Sequence, residues 1–87
     1  MDNDDDWRLQ GQERYLNRET LQWSSWTRPR HDWDHDHCAF CWAKFMEEPY
    51  PDTLQAGYTT ADRYHWICPT CFEEFRERFG WALENRP

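Results

Sequence analysis

Two short stretches decide the reading of this chain: Cys38-Ala39-Phe40-Cys41 and Cys68-Pro69-Thr70-Cys71. Each is a Cys-x2-Cys pair, and residues 42–67 separate them. Thiolates spaced this way in a tight turn can both face one ion, and two such turns complete a tetrahedron. Zinc accepts four sulfurs at about 2.3 Å and keeps no open position in such a site. The expectation is one structural Zn2+ per chain, held by Cys38, Cys41, Cys68 and Cys71. The interval exceeds the commonest zinc spacing of about 15–20 residues, and a Pro-rich loop plus a hairpin absorb the excess. Two disulfides are the competing reading, and an intracellular chain argues against them. A redox Cys-x-x-Cys needs only one pair and a surrounding βαβ pattern, and neither description fits.

Outward from the second pair the local signals are clear. Thr70-Cys71-Phe72-Glu73 matches a capping box with Thr70 at the N-cap, which places Cys71 at N1. A thiolate there is favoured by the helix dipole. Phe72, Phe75 and Phe79 recur at helical spacing, and Gly80 is suited to end the helix. Trp81 is expected to fold back on Phe75. Upstream, Tyr58-Thr59-Thr60 and Arg63-Tyr64-His65-Trp66-Ile67-Cys68 read as a β-hairpin around Ala61-Asp62. Two prolines make Glu48-Pro49-Tyr50-Pro51-Asp52 a loop. In the N-terminal third, Tyr15-Leu16 and Thr20-Leu21-Gln22-Trp23 read as short strands.

Composition explains why such a chain needs a staple. Leu, Ile, Val and Phe number 5, 1, 0 and 5, which is 11 of 87 residues. With a net charge of −7, that content alone would suggest disorder. Against it stand the 16 aromatic residues (7 Trp, 4 Tyr and 5 Phe), each able to bury about 150–250 Å². A metal-stapled, aromatic core follows. The fold class is α+β: one zinc-binding domain over residues 7–87, preceded by an acidic tail over residues 1–6 that is expected to be disordered.

A knuckle, then a hairpin, then a helix carrying the second cysteine pair resembles a treble-clef zinc finger over residues 38–79. The N-terminal aromatics form a wrap around that unit. His37-Cys38-Ala39-Phe40-Cys41-Trp42-Ala43-Lys44-Phe45 and Tyr64-His65-Trp66-Ile67-Cys68 also resemble stretches of small, uncharacterised bacterial zinc proteins, from which no function carries over. Treble-clef scaffolds include HNH nucleases, whose Asp-His pair is similar to Asp34-His35-Asp36-His37. That resemblance implies a catalytic His on a hairpin strand after the first knuckle and a further His or Asn on the helix. Here the run precedes Cys38, and residues 72–84 contain neither His nor Asn. With no nucleophile–base pair and a coordinatively full zinc, no catalysis is expected.

Other metal readings are weaker. Asp32-x-Asp34-x-Asp36 opens like a calcium loop, but His37 occupies the Gly position and Ala43 the final Glu position. His31, His35 and His37 are candidate ligands for a second metal. The alternative is a solvated turn in which they hydrogen-bond neighbouring aspartates. His65 faces away from Cys68 on an alternating strand, so it is expected at most to support the site.

Charge sets the expected partner. Residues 1–37 carry 9 acidic and 5 basic groups, and residues 38–87 carry 8 and 5. One zinc with four thiolates adds −2, giving about −9. Lys44 is the single lysine, and no basic stripe is present to displace phosphate counterions, which argues against nucleic acid. Protein binding fits better, with Trp7, Trp23, Trp26 and Trp33 as candidate anchors outside the zinc unit and Trp42, Trp66 and Trp81 packed around it. The competing role for the outer four is to cover the zinc unit. An acidic surface steers toward a basic partner, and the sharper form of that expectation is an immunity or anti-nuclease inhibitor. A nucleic-acid-binding finger, by base stacking, is the other class. No apolar run approaches the roughly 20 residues of a membrane helix, and the N-terminus is acidic where a signal peptide is basic. A cytoplasmic location is expected.

Overall fold

A computed structural model describes residues 6–84. Its elements run α1 (Glu13–Leu16), β1 (Thr20–Ser25), β2 (Asp36–His37), β3 (Lys44–Phe45), β4 (Thr53–Leu54), β5 (Ala56–Thr59), β6 (Trp66–Ile67), α2 (Pro69–Phe79) and β7 (Ala82–Leu83). The fold is α+β, with two small sheets and a C-terminal helix. Among the described residues no helix is long and apolar enough to cross a membrane. Of the acidic tail expected over residues 1–6, only Asp6 is described. It accepts hydrogen bonds from the Arg8 amide and guanidinium.

The larger sheet has the order β6-β5-β1-β7. β1 runs antiparallel to β5, from Gln22↔Thr59 to Ser25↔Ala56, and parallel to β7, with Leu21 opposite Leu83. The N-terminal segment is therefore not a wrap laid over a finished unit. It supplies an interior strand, hydrogen-bonded on both edges. The expected hairpin forms as β5 and β6, with Tyr58 opposite Ile67 and Thr59 opposite Trp66. Its loop is wider than Ala61-Asp62, because Thr60 and Asp62 fold it locally. The Thr60 hydroxyl donates to Asp62 Oδ1, the Arg63 amide donates to the Thr60 carbonyl, and Arg63 adopts φ 60°. The smaller sheet is β2-β3-β4, and a bridge from Cys38 to Trp66 joins it to the larger one. Tyr15 and Leu16 belong to α1, not to a strand. Leu16 is fully buried there, and one turn is enough to bring it inward.

α2 begins earlier than the capping box predicts. Cys68 is the N-cap, its Sγ accepting from the Cys71 amide at 3.4 Å, and Pro69 takes N1. Proline suits that position because its missing N–H would have no helical partner. Cys71 therefore stands at N3 and Thr70 lies inside the helix. The other end matches expectation. Gly80 sits at φ 64°, the Trp81 amide donates to the Arg76 carbonyl and the Gly80 amide to the Glu77 carbonyl. These are the two bonds of a Schellman ending.

The core is aromatic. Phe40, Phe45, Phe72, Phe75 and Phe79 are all buried, each contributing roughly 2–3 kcal/mol of apolar burial. Tyr58 stacks on Phe72 at 3.8 Å, and Phe72 stacks on Trp81 at 5.7 Å. Trp81 thus folds back on Phe72, one turn earlier than Phe75. Its indole N–H donates to the Leu16 carbonyl at 2.7 Å, tying the C-terminal end to α1. Gly57 is required where the sheets meet: a Cβ there would lie 2.6 Å from Phe45 Cε1 and 3.0 Å from the Ile67 carbonyl oxygen.

Candidate metal centre

The first cysteine pair is shaped by a turn that closes on itself. The Cys38 amide donates to the Ala43 carbonyl at 2.7 Å, and the Trp42 amide donates to the Cys38 carbonyl at 3.2 Å. That closure forces Trp42 to φ 69°. Left-handed backbone costs a non-glycine residue roughly 1–2 kcal/mol, so a Trp here is held against its local preference. The second pair is shaped by the helix start, with Cys68 just before the first turn and Cys71 inside it. The bridge between Cys38 and Trp66 fixes the two arms side by side.

The result is one cluster. The four Sγ atoms lie within 4.8 Å of one another, and Cys41 Sγ is 3.6 Å from Cys68 Sγ. Four sulfurs at about 2.3 Å from a common centre would be about 3.8 Å apart, so the cluster has the size a zinc ion requires. None of the four is in a disulfide, and 3.6 Å is far beyond the S–S bond length of about 2.05 Å. Among the described residues this is the one group of three or more Cys, His, Asp or Glu side chains placed to share an ion.

Backbone donors orient the sulfurs. The amides of Phe40 and Cys68 each point at Cys38 Sγ at 3.4 Å, as the Cys71 amide points at Cys68 Sγ. Hydrogen bonds of this kind stabilise charge on sulfur. Cys38 is pulled well below the usual thiol range, first by the Cys68 thiol and then by the Cys71 thiol, both donating to it. With Cys38 charged, Cys68 is pushed up, first by Cys38, and Cys71 is pushed strongly upward by Cys38 first and then Cys68. Four thiolates cannot coexist at this spacing on their own. A dication in their midst removes that repulsion, and the donor set fits zinc. Cys38, Cys41, Cys68 and Cys71 would hold it, and it would supply a structural cross-link.

Sequence reasoning missed the support around the sulfurs. Arg8 Nη1 lies 3.7 Å from Cys71 Sγ, while Nη2 pairs with Asp6 and Glu74, each at 2.6 Å. The guanidinium also covers the Phe75 ring at 4.6 Å. Its hydrogen bond is the first cause holding the Asp6 carboxyl at about 2. Buried Gln12 donates to the Arg8 and Ala39 carbonyls, anchoring the N-terminal segment to the knuckle. No local sequence signal marks these ties, which span 63 residues for Arg8 and Cys71.

The remaining candidates separate. His65 stacks on Tyr15 at 4.5 Å and is not among the clustered ligands. His35 Nδ1 is 2.8 Å from Asp34 Oδ1, as in a solvated turn, and among the described residues His31, His35 and His37 do not join a set of three or more ligands. The four tryptophans outside the cysteine unit also divide. Trp7 is 62% exposed, and Trp23 and Trp33 are half-buried, against Tyr58 and under Arg30. Trp26 is only 2% exposed and donates to Asp36 Oδ2, so it is core and unavailable to a partner. Trp42, expected to pack around the metal unit, is instead 60% exposed. Comparison with family profiles, curated proteins and solved structures returned no match.

Proposed function

We propose that the chain is a non-enzymatic protein-interaction module whose shape is fixed by one structural zinc in a treble-clef-like arrangement. The observation that carries this reading is the four-sulfur cluster, three members of which are buried and which leaves a bound zinc no open position. A closed site binds no substrate, so the metal serves architecture. The order knuckle, hairpin β5–β6, helix α2 supports the treble-clef description. The net charge of −7 favours a basic protein as partner and disfavours nucleic acid. An inhibitor of a basic toxin or nuclease is the sharper form of the same reading.

Two measurements test it. Native mass spectrometry should find one zinc per chain, with the four thiols unreactive until a chelator is added. Immobilised, zinc-loaded protein should retain basic proteins from nuclease-treated lysate in a salt-sensitive way, and the chelated protein should not. A metal-free chain with an unchanged near-UV spectrum overturns the zinc reading. Tight, strongly salt-dependent binding to an oligonucleotide overturns the protein partner.

A further inference from the structure

Three of the exposed aromatic side chains gather at one place. Trp42, Tyr64 and Tyr15, which are 60%, 62% and 44% exposed, line a single cavity of about 190 Å³ together with His37 and His65. The rings brace one another. Tyr15 stacks on His65 at 4.5 Å, Tyr64 meets His65 edge-on at 4.9 Å, and Trp42 leans on His37 at 5.9 Å. Trp42 is presented from a left-handed turn that glycine would adopt without strain. A large apolar ring held outward from a strained position is not explained by core packing.

Size and charge limit what the cavity can take. At about 190 Å³ it is smaller than the roughly 300–1,000 Å³ of metabolite pockets, so it suits the end of one side chain. An adjoining hollow shares Tyr15 and His65 with this cavity and is also lined by Glu19 and Asp62. Asp62 stays ionised because the Thr60 hydroxyl, and then the Tyr64 amide, hydrogen-bond to it. Lys44 stands opposite His37 in the β2–β3 pair, so positive charge is disfavoured at that end and favoured near Tyr64 and His65. Aromatic faces beside carboxylates attract cations, and a planar guanidinium stacks on rings as an ammonium does not.

We propose that this cavity receives a single arginine side chain from the basic partner, its aliphatic stem along Trp42, its guanidinium against Tyr64, Tyr15 and His65, and its charge balanced by Glu19 and Asp62 of the adjoining hollow. The inference rests on the interaction-module reading and names the contact within it. A nucleobase would stack on the same rings, but its phosphates would meet these carboxylates.

The test uses the full zinc-loaded chain, with hexaarginine amide, hexalysine amide and an oligo-dT strand as probes. Binding is read by tryptophan fluorescence and by the indole N–H signals in a 1H–15N spectrum. Hexaarginine should bind more tightly than hexalysine and shift the Trp42 indole signal. Trp42→Gly and Tyr64→Ala should each weaken hexaarginine about 2- to 5-fold. Trp42→Gly removes the ring while relieving the strained φ, so its fold, checked by zinc content and melting temperature, should be retained. Glu19→Gln should weaken hexaarginine in the same direction. Hexaarginine binding that is indifferent to Trp42 and Tyr64, or matched by hexalysine, overturns the arginine site and leaves the basic-partner reading standing. Absence of peptide binding also overturns the site. Preference for oligo-dT overturns both.

Discussion

Gly57→Ala should loosen the metal centre without touching a ligand. The new Cβ would stand 2.6 and 2.8 Å from Phe45 Cε1 and Cζ and 3.0 Å from the Ile67 carbonyl oxygen. Comfortable carbon contacts are about 3.5–4.0 Å, so something must move by close to 1 Å. The Phe45 ring cannot swing away, because it is fully buried and packs against Trp66 at 5.5 Å. The alternative is to part β3 from the β5–β6 hairpin. Phe45 follows Cys41 by four residues and Ile67 directly precedes Cys68, so that movement spreads the two cysteine pairs. Overpacking of this kind costs about 1–3 kcal/mol, against a gain of about 0.4–1 kcal/mol from a stiffer unfolded chain. A net loss of about 1–2 kcal/mol lowers the melting temperature of a domain this size by roughly 5–15 °C. Near-UV circular dichroism at fixed free zinc reads the melting temperature, and competition with a chromophoric chelator reads zinc affinity. Both should fall. Gly11→Ala is the control: it carries φ 87° with no atom within 4 Å, so it should cost stability through strain and leave zinc affinity unchanged. A Gly57→Ala protein that melts within 2 °C of the parent and binds zinc equally well would refute the reasoning.

Other outcomes follow from the same geometry. Arg8→Gln removes the guanidinium beside Cys71 Sγ and should lower zinc affinity about 10- to 100-fold, read by chelator competition. Cys41→Ser breaks the tetrahedron and should abolish the near-UV tryptophan bands at neutral pH, whereas His31→Ala, outside the cluster, should leave them unchanged. Zinc must displace the protons of Cys68 and Cys71, both raised in the folded chain, so affinity should rise with pH. A flat profile would contradict the assignment.

The cysteine pairs, the Phe72-Phe75-Phe79 face, the Gly80 ending and the β5–β6 hairpin were legible because each is written in a few neighbouring residues. The start of α2 was misread because two local signals compete. Thr70 and Glu73 form a capping box, but Pro69 prefers N1 and the Cys68 sulfur accepts the capping bond. Strands of two residues, such as β2, β3 and β4, are too short to show a period. Tyr15-Leu16 looked like strand and is a single helical turn for the same reason. The central place of β1 depends on pairing with residues 56–59 and 82–83, which no local pattern encodes. Trp26 and Trp42 exchanged roles, one entering the core through Asp36 and the other leaving it through the turn after Cys41.

Because β1 lies between β5 and β7, early and late segments of the chain complete one another's hydrogen bonding. Excising residues 38–79 as a minimal finger would keep every sulfur yet strip a neighbour from β5 along its whole length. Such a fragment would keep the β5–β6 pair but leave β5 as an open edge. A shortened version that stays soluble would therefore need a substitute strand, either grafted onto it or borrowed from another molecule.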